Sequence, residues 1–116
     1  MRTIVIGDLN VDIIVTGAPG LPVLGHEIHC ADIRTVMGGS ASIFACRLAQ
    51  LGAEVDIFGK VGNDENGRLV LKNLRSSNVG IDKVKVLDGI KTGITLSLTY
   101  PKNKAQITFT GSIDAL

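Results

Sequence analysis

The chain has no tryptophan, one tyrosine and three phenylalanines, too few aromatic faces for stacking on nucleic-acid bases. It also lacks an excess of positive charge. Twelve Lys and Arg stand against eleven Asp and Glu, for a formal charge of +1, whereas a protein that tracks phosphates needs a basic surface. Both shortages argue against a nucleic-acid partner. The two cysteines, Cys30 and Cys46, cannot build a disulfide framework, and a reducing, cytoplasmic compartment fits them best. No apolar run approaches the ~20 residues needed to cross a bilayer. No basic-then-apolar leader precedes Ile4, so neither a membrane span nor a signal peptide is expected.

What remains is 116 residues, 45% hydrophobic and 20% charged, with 14 glycines. That is enough for one globular domain and too apolar for a disordered chain. A mean hydropathy of +0.32 is high for a chain this short, whose surface is large for its volume. Part of its apolar surface is therefore expected to be covered, by a second subunit or by further polypeptide.

The β-branched run Thr3-Ile4-Val5-Ile6, closed by Gly7, reads as a buried strand. A second strand is expected over 11–16, and a loop follows through Gly17, Pro19, Gly20 and Pro22. A third is expected over 27–36. Gly38-Gly39 then opens a helix over 40–51, whose Ala41, Phe44, Ala45, Leu48 and Leu51 form a stripe at helical spacing, with Gly52 as its C-terminal stop. Another strand is expected over 54–59. Asp64 can cap a second helix that runs to about Arg75 and buries Gly67, Val70, Leu71 and Leu74. Strands at 83–87, 93–99 and 105–110 complete the pattern, the last two joined by a turn through Pro101. Helices between strands imply parallel crossovers. The polar strands at the end imply a second, antiparallel layer. The fold class is α/β, a partly parallel sheet with flanking helices and a small β-sheet appendage.

Neither nucleotide fingerprint is present. Gly59-Lys60 continues into Val61, and Gly7 leads into Asp8-Leu9-Asn10, so the phosphate-cradling glycine spacings fail. His26, His29 and Cys30 lie too far apart along a strand to chelate one ion, and no second pair closes a metal site. No histidine stands beside a serine or cysteine nucleophile in a recognisable pattern. Two segments carry more promise. Asn10 and Asp12, at a spacing of two, share one face of an extended chain at the end of the first strand, where open α/β sheets bind ligands. There they can hydrogen-bond adjacent hydroxyls of a polyol, unless the segment is an ordinary solvated turn. Gly38-Gly39 at a helix start lets a ligand reach the backbone and the free N–H groups of the first turn, or serves only a tight turn.

The order of these segments is more specific than any one of them. Gly7-Asp8-x-Asn10-x-Asp12, Gly38-Gly39, Leu48-Ala49-Gln50-Leu51-Gly52, the run from Gly59 to Gly67, Asn78-Val79-Gly80-Ile81-Asp82 and Lys91-Thr92-Gly93 together resemble the ribokinase (PfkB) family of carbohydrate and nucleoside kinases. The resemblance spans essentially the whole chain. It implies the N-terminal, incomplete part of a ribokinase-like domain over 1–116, with a lid over a sugar site built from strands near 11–16, 27–36, 93–99 and 105–110. It further implies that Asn10 and Asp12 bind substrate hydroxyls and that Gly38 and Gly39 cradle the sugar. Ser40 stands where ribokinases often carry lysine. Ile43 stands where the family motif commonly has asparagine, an apolar wall in place of a carboxamide, which points to a different sugar, a nucleoside or a relaxed, non-catalytic site.

The family reaction is phosphoryl transfer from ATP with Mg²⁺ to a sugar hydroxyl. The Gly-Ala-Gly-Asp motif that supplies its base and anion hole does not occur in this sequence, so no catalytic, cofactor or metal residue is assigned and no activity is expected of the chain alone. Expected partners are a small sugar or nucleoside, and either a second copy through the lid strands or the C-terminal half of a kinase. A non-catalytic sugar-binding or dimerisation module is the reading outside the enzymes.

Overall fold

The computed structural model describes residues 1–115. Its elements in chain order are β1 (Arg2–Ile6), β2 (Asn10–Thr16), β3 (Asp32–Gly38), α1 (Ser40–Gln50), β4 (Glu54–Gly62), α2 (Glu65–Ser76), β5 (Val79–Gly80), β6 (Val84–Leu87), β7 (Gly93–Thr99) and β8 (Lys104–Phe109), with a closing 3₁₀ turn at Gly111–Ala115. Two sheets result. The first is parallel: β4 pairs with β1 through residues 54–58, with β5 at residues 55–56 and with β6 at residues 59–62. The second runs β3-β2-β7-β8.

Alternation along β4 sets the core. Val55, Ile57 and Val61 point to the helical side with Val5 of β1, and meet Ala45 and Cys46 of α1 and Val70 and Leu74 of α2. The helix α2 begins as the sequence implies: the Asp64 side chain accepts from the Gly67 amide at 2.8 Å, Glu65 lies in the first turn and Arg75 in the last. Gly67, Val70 and Leu74 are buried, and Leu71 is half-buried.

The helix α1 keeps Ala41, Ala45 and Leu48 of the expected stripe at the core, but not Phe44 and Leu51. Ser42, Ala45 and Cys46 are buried, whereas Phe44 is 55% and Leu51 85% exposed. The buried Ser42 hydroxyl is satisfied locally, donating back to the Gly38 and Gly39 carbonyls at the helix start. Small side chains fill the buried face beside Leu48, and Phe44 and Leu51 point outward.

The third strand is also shorter than expected, Asp32–Gly38 instead of 27–36. Its partner β2 ends at Thr16, opposite Asp32, and the Ala31 amide closes the ladder on the Thr16 carbonyl at 2.9 Å. Residues 27–31 have no strand left to pair with. The second sheet is mixed, not wholly antiparallel: β2 and β7 run parallel in register from Asn10 opposite Gly93 to Thr16 opposite Thr99, flanked by antiparallel β3 and β8. Both strands leave the core in the same direction.

Two apolar surfaces stay bare. On the side of the first sheet away from the helices, Ile6 is 74% exposed and Ile4 is also open. In the second sheet, register puts Ile33, Val15, Leu98 and Ala105 on one face, and farther along that face Ile107 is 71% exposed. Part of the apolar excess of the composition lies there.

Candidate functional site

The end of β1 and the roots of β2 and β3 meet in one place. Leu9, almost wholly buried, anchors the turn after β1, so the chain enters β2 with Asn10 and Asp12 on the same face. Register sets Gly38 opposite Asn10 and Val36 opposite Asp12. A Cβ on Gly38 would overlap the Asp12 carboxylate, so glycine there leaves that side chain room in its present position. Gly39 follows at φ +89°, a left-handed conformation that side chains resist. A Cβ there would stand 2.6 Å from Asn10 Oδ1 and 2.7 Å from the Asp8 carbonyl. The pair of glycines is what allows these polar groups to lie against the start of α1.

The polar groups are under-used. Asn10 is only 5% exposed, and its Oδ1 has no hydrogen-bond partner. Its Nδ2 makes only long contacts of 3.5 Å, to Asp12 Oδ1 and to its neighbour's carbonyl. A buried acceptor without a donor costs free energy, and such groups persist where a ligand completes them. Burial pushes the Asp12 carboxyl above its ordinary range, an effect the Lys104 charge only partly offsets. The first turn of α1 lacks a side-chain cap on its amides, which leaves N–H donors turned toward the same shelf. The arrangement therefore offers two acceptors, Asn10 Oδ1 and the Asp12 carboxylate, beside backbone donors. It is suited to hydroxyl groups that both donate and accept.

Of the other residues singled out in the sequence, Ser40 lies at this shelf and donates to Asp8 Oδ1 at 3.3 Å. Ile43 is largely exposed and shares its side of α1 with Arg47 and Gln50, both exposed. His26, His29 and Cys30 are exposed, with His29 Nε2 3.3 Å from Glu27 Oε1. Among the described residues no group of three or more His, Cys, Asp or Glu side chains is placed to hold a metal ion. No helix among them is long and apolar enough to cross a membrane.

Sequence reading missed two positions that shape the site. One is Ser42, described above. The other is Thr92, 0% exposed, at the base of β7. Its hydroxyl donates to Asp64 Oδ1 at 2.6 Å and accepts from the Gly62 amide at 2.9 Å, and its amide donates to Asp64 Oδ2 at 2.9 Å. Burial pushes the Asp64 carboxyl up, but the bonds from Thr92 and Gly67 together with the Arg68 charge outweigh it and hold the group below its ordinary range. This clamp ties the N-terminus of α2 to the root of β7. The next residue, Gly93, stands opposite Asn10. The signal was available in Thr92-Gly93, but nothing local shows what Thr92 touches.

Comparison with known proteins gives a consistent picture. The family model described as pfkB family carbohydrate kinase matches residues 2–115. The chain is 38% identical over 96 residues to the bifunctional protein HldE of Sulfurimonas denitrificans, covering 78% of this chain and 20% of that protein. It is 35% identical over 94 residues to the ribokinase of Bacillus subtilis, covering 80% of this chain and 32% of that one. The chain thus spans between a fifth and a third of the length of these curated relatives. Among solved structures, the ribokinase of Arabidopsis thaliana complexed with ribose and ATP superposes with a TM-score of 0.87 at 25% identity, over 96% of this chain and 36% of that one. The ribokinase of Cryptococcus neoformans in complex with ADP gives a TM-score of 0.80 at 26% identity, over 96% and 35%. With a family match along almost its whole length and a ribokinase-like α/β fold, the chain belongs to the pfkB family of carbohydrate kinases.

Proposed function

We propose that this chain is the acceptor-binding portion of an ATP-dependent sugar kinase, with Asn10, Asp12, Gly38, Gly39 and Ser40 holding the sugar and Ile43 forming an apolar wall beside it. The single observation that carries the reading is Asn10 Oδ1, a buried acceptor without a donor, seated over Gly39 and next to the Asp12 carboxylate. A vicinal diol satisfies both acceptors at once. On this reading the second sheet is a lid over the sugar.

The nucleotide is a different matter. ATP and Mg²⁺ supply the phosphoryl group and its charge neutralisation in the complete reaction, but the residues present do not fit them. The described residues hold no cluster of metal-ligating side chains, and the sequence carries neither phosphate-loop spacing nor the Gly-Ala-Gly-Asp motif. We derive no transfer step and expect no kinase activity from these 116 residues by themselves; the C-terminal portion of a kinase has to supply it. The bare Ile4 and Ile6 and the outer side of β1, which among the described residues pairs only with β4, offer that portion a place to pack.

The test is ligand-dependent melting. A sugar that binds only the folded state raises the melting temperature with concentration. Asn10→Ala is expected to abolish that rise while leaving the transition cooperative. A rise that survives both Asn10→Ala and Asp12→Ala would defeat the assignment.

A second copy is the other partner we infer. The apolar face of the second sheet, with Ile33, Ile107 and Phe109 all exposed, is larger than isolated surface residues produce. A homodimer that packs these faces together is expected in sedimentation velocity, and Ile107→Asp is expected to dissociate it. A parent chain that stays monomeric at working concentrations refutes the dimer.

A further inference from the structure

The far end of the second sheet holds a pocket that the acceptor site does not use. Register pairs Thr16 with Thr99 and Thr99 with Lys104, so the loop that leaves β2 and the turn between β7 and β8 meet there. Six residues of β2 separate this end from Asn10, about 20 Å along the strand. Two hydrogen bonds fix the walls. The Tyr100 hydroxyl donates to the Gly20 carbonyl at 2.8 Å, and the Tyr100 amide donates to the Asn103 carbonyl at 2.9 Å. They border a cavity of about 610 Å³, within the size range of small-molecule sites.

The lining combines apolar surface with positive charge. Leu21, Tyr100, Pro101 and Ala105 supply the first, and Lys102 and Lys104 the second. Leu21 is 65% exposed, an apolar side chain without cover. Both lysines are exposed, and among the described residues neither is in an ion pair. Asp12 senses the Lys104 charge without pairing with it. The acidic residue in the row of Lys104 is Asp32, three strands away, at about 14 Å.

We propose that this pocket binds a small apolar carboxylate, with its chain against Leu21, Tyr100 and Pro101 and its anionic head at Lys102 and Lys104. The inference is independent of the sugar reading. A simple anion would meet two solvated ammonium groups, which contribute little alone. A neutral apolar molecule would leave both charges unused. A ligand with both parts gains from apolar burial and from charge together. Because the loop and the turn are already tied through Tyr100, binding orders little that was free.

The chain contains one tyrosine and no tryptophan, so its tyrosine fluorescence reports on Tyr100 alone. The experiment titrates octanoate into the 116-residue chain and follows that signal, with 1-octanol and acetate as comparison probes. A saturable change with octanoate is expected. The alcohol, which has the chain without the charge, is expected to bind about fivefold more weakly, the scale of two exposed ion pairs. Acetate, which has the charge without the chain, is expected to bind about a hundredfold more weakly or worse. Lys102→Gln combined with Lys104→Gln is expected to bring octanoate down to the affinity of the alcohol, and Leu21→Ala to weaken both. All three side chains are exposed, so replacing them leaves the core packing intact. No saturable change with octanoate overturns the inference, and so does a double glutamine variant that binds it within about twofold of the parent. Sedimentation velocity identifies the rival occupant. A dimer that persists while octanoate leaves the fluorescence unchanged assigns the pocket to a second copy and overturns the proposal of a ligand.

Discussion

Replacing Thr92 by valine removes one oxygen from a fully buried position and unmakes two hydrogen bonds together. The bond to the ionised Asp64 carboxylate at 2.6 Å is charge-assisted, and such bonds contribute about 1.5 to 3 kcal/mol. The bond from the Gly62 amide at 2.9 Å leaves a buried N–H without a partner, a loss of about 1 to 3 kcal/mol. The two losses overlap, and the extra apolar surface of valine offsets about 1 kcal/mol. A net destabilisation of about 3 kcal/mol follows, which for a domain of this size lowers the melting temperature by roughly 12 °C. Asp64 adds a pH signature. Its folded pKa is depressed below the ordinary 3.8, so its stabilisation is fully present above that value and is lost as pH falls through the folded pKa. In Thr92→Val the hydroxyl bond that favours the carboxylate is gone, and the variant has less of this stabilisation to lose. The difference between parent and variant is therefore expected to hold from neutral pH down to 3.8 and to shrink as pH falls below it through the folded pKa. Thermal melts followed by circular dichroism across that range read both effects. A drop under about 3 °C, or a gap independent of pH, would refute the clamp as described.

Three further outcomes follow from the site and the core. Gly39→Ala forces a side chain into a left-handed backbone and against Asn10 Oδ1; a loss of about 2 kcal/mol together with loss of sugar-dependent stabilisation is expected in melting curves. Asp12 has a raised folded pKa from burial, so the stability it confers is present below 3.8 and is lost as pH rises through the folded value. Asp12→Asn is accordingly expected to melt higher than the parent at neutral pH and to lose the response to sugar; a lower melting point would contradict the burial argument. Cys30 is exposed and Cys46 buried, so a thiol reagent is expected to label one cysteine in the native chain and both after denaturation, since reaction requires access.

The polar cluster at the root of β2 was more legible in the sequence than the packing around it, for a physical reason. Asn10 and Asp12 share a face because alternate residues of any extended chain do, and Gly38-Gly39 mark either a close backbone approach or a tight turn, both of which need a missing Cβ. These are local facts, and the chain states them locally. The stripe on α1 is different. Ala41, Phe44, Ala45 and Leu48 satisfy helical spacing, but so do Ser42, Ala45, Cys46 and Ala49. The buried face takes members of both: β4 lies close enough to favour alanine and cysteine over phenylalanine, so Ala41 and Leu48 pack at the core while Phe44 turns out. Hydrophobicity alone misplaces Phe44 and Leu51. The pairing of β2 with β7 lies further still from local reading, since Asn10 meets Gly93 across the whole first sheet. Thr92 shows the same limit in one residue: its partners, Asp64 and Gly62, lie 28 and 30 positions away. Yet these long-range contacts hold the sheet roots beside Asn10, and a buried acceptor is kept without a donor only where the surrounding backbone is fixed this firmly. The part of the site legible in sequence is its chemistry. The part that fixes this chemistry in place, the holding of Asn10 and Asp12 at the root of the second sheet, depends on the clamp that the sequence hid.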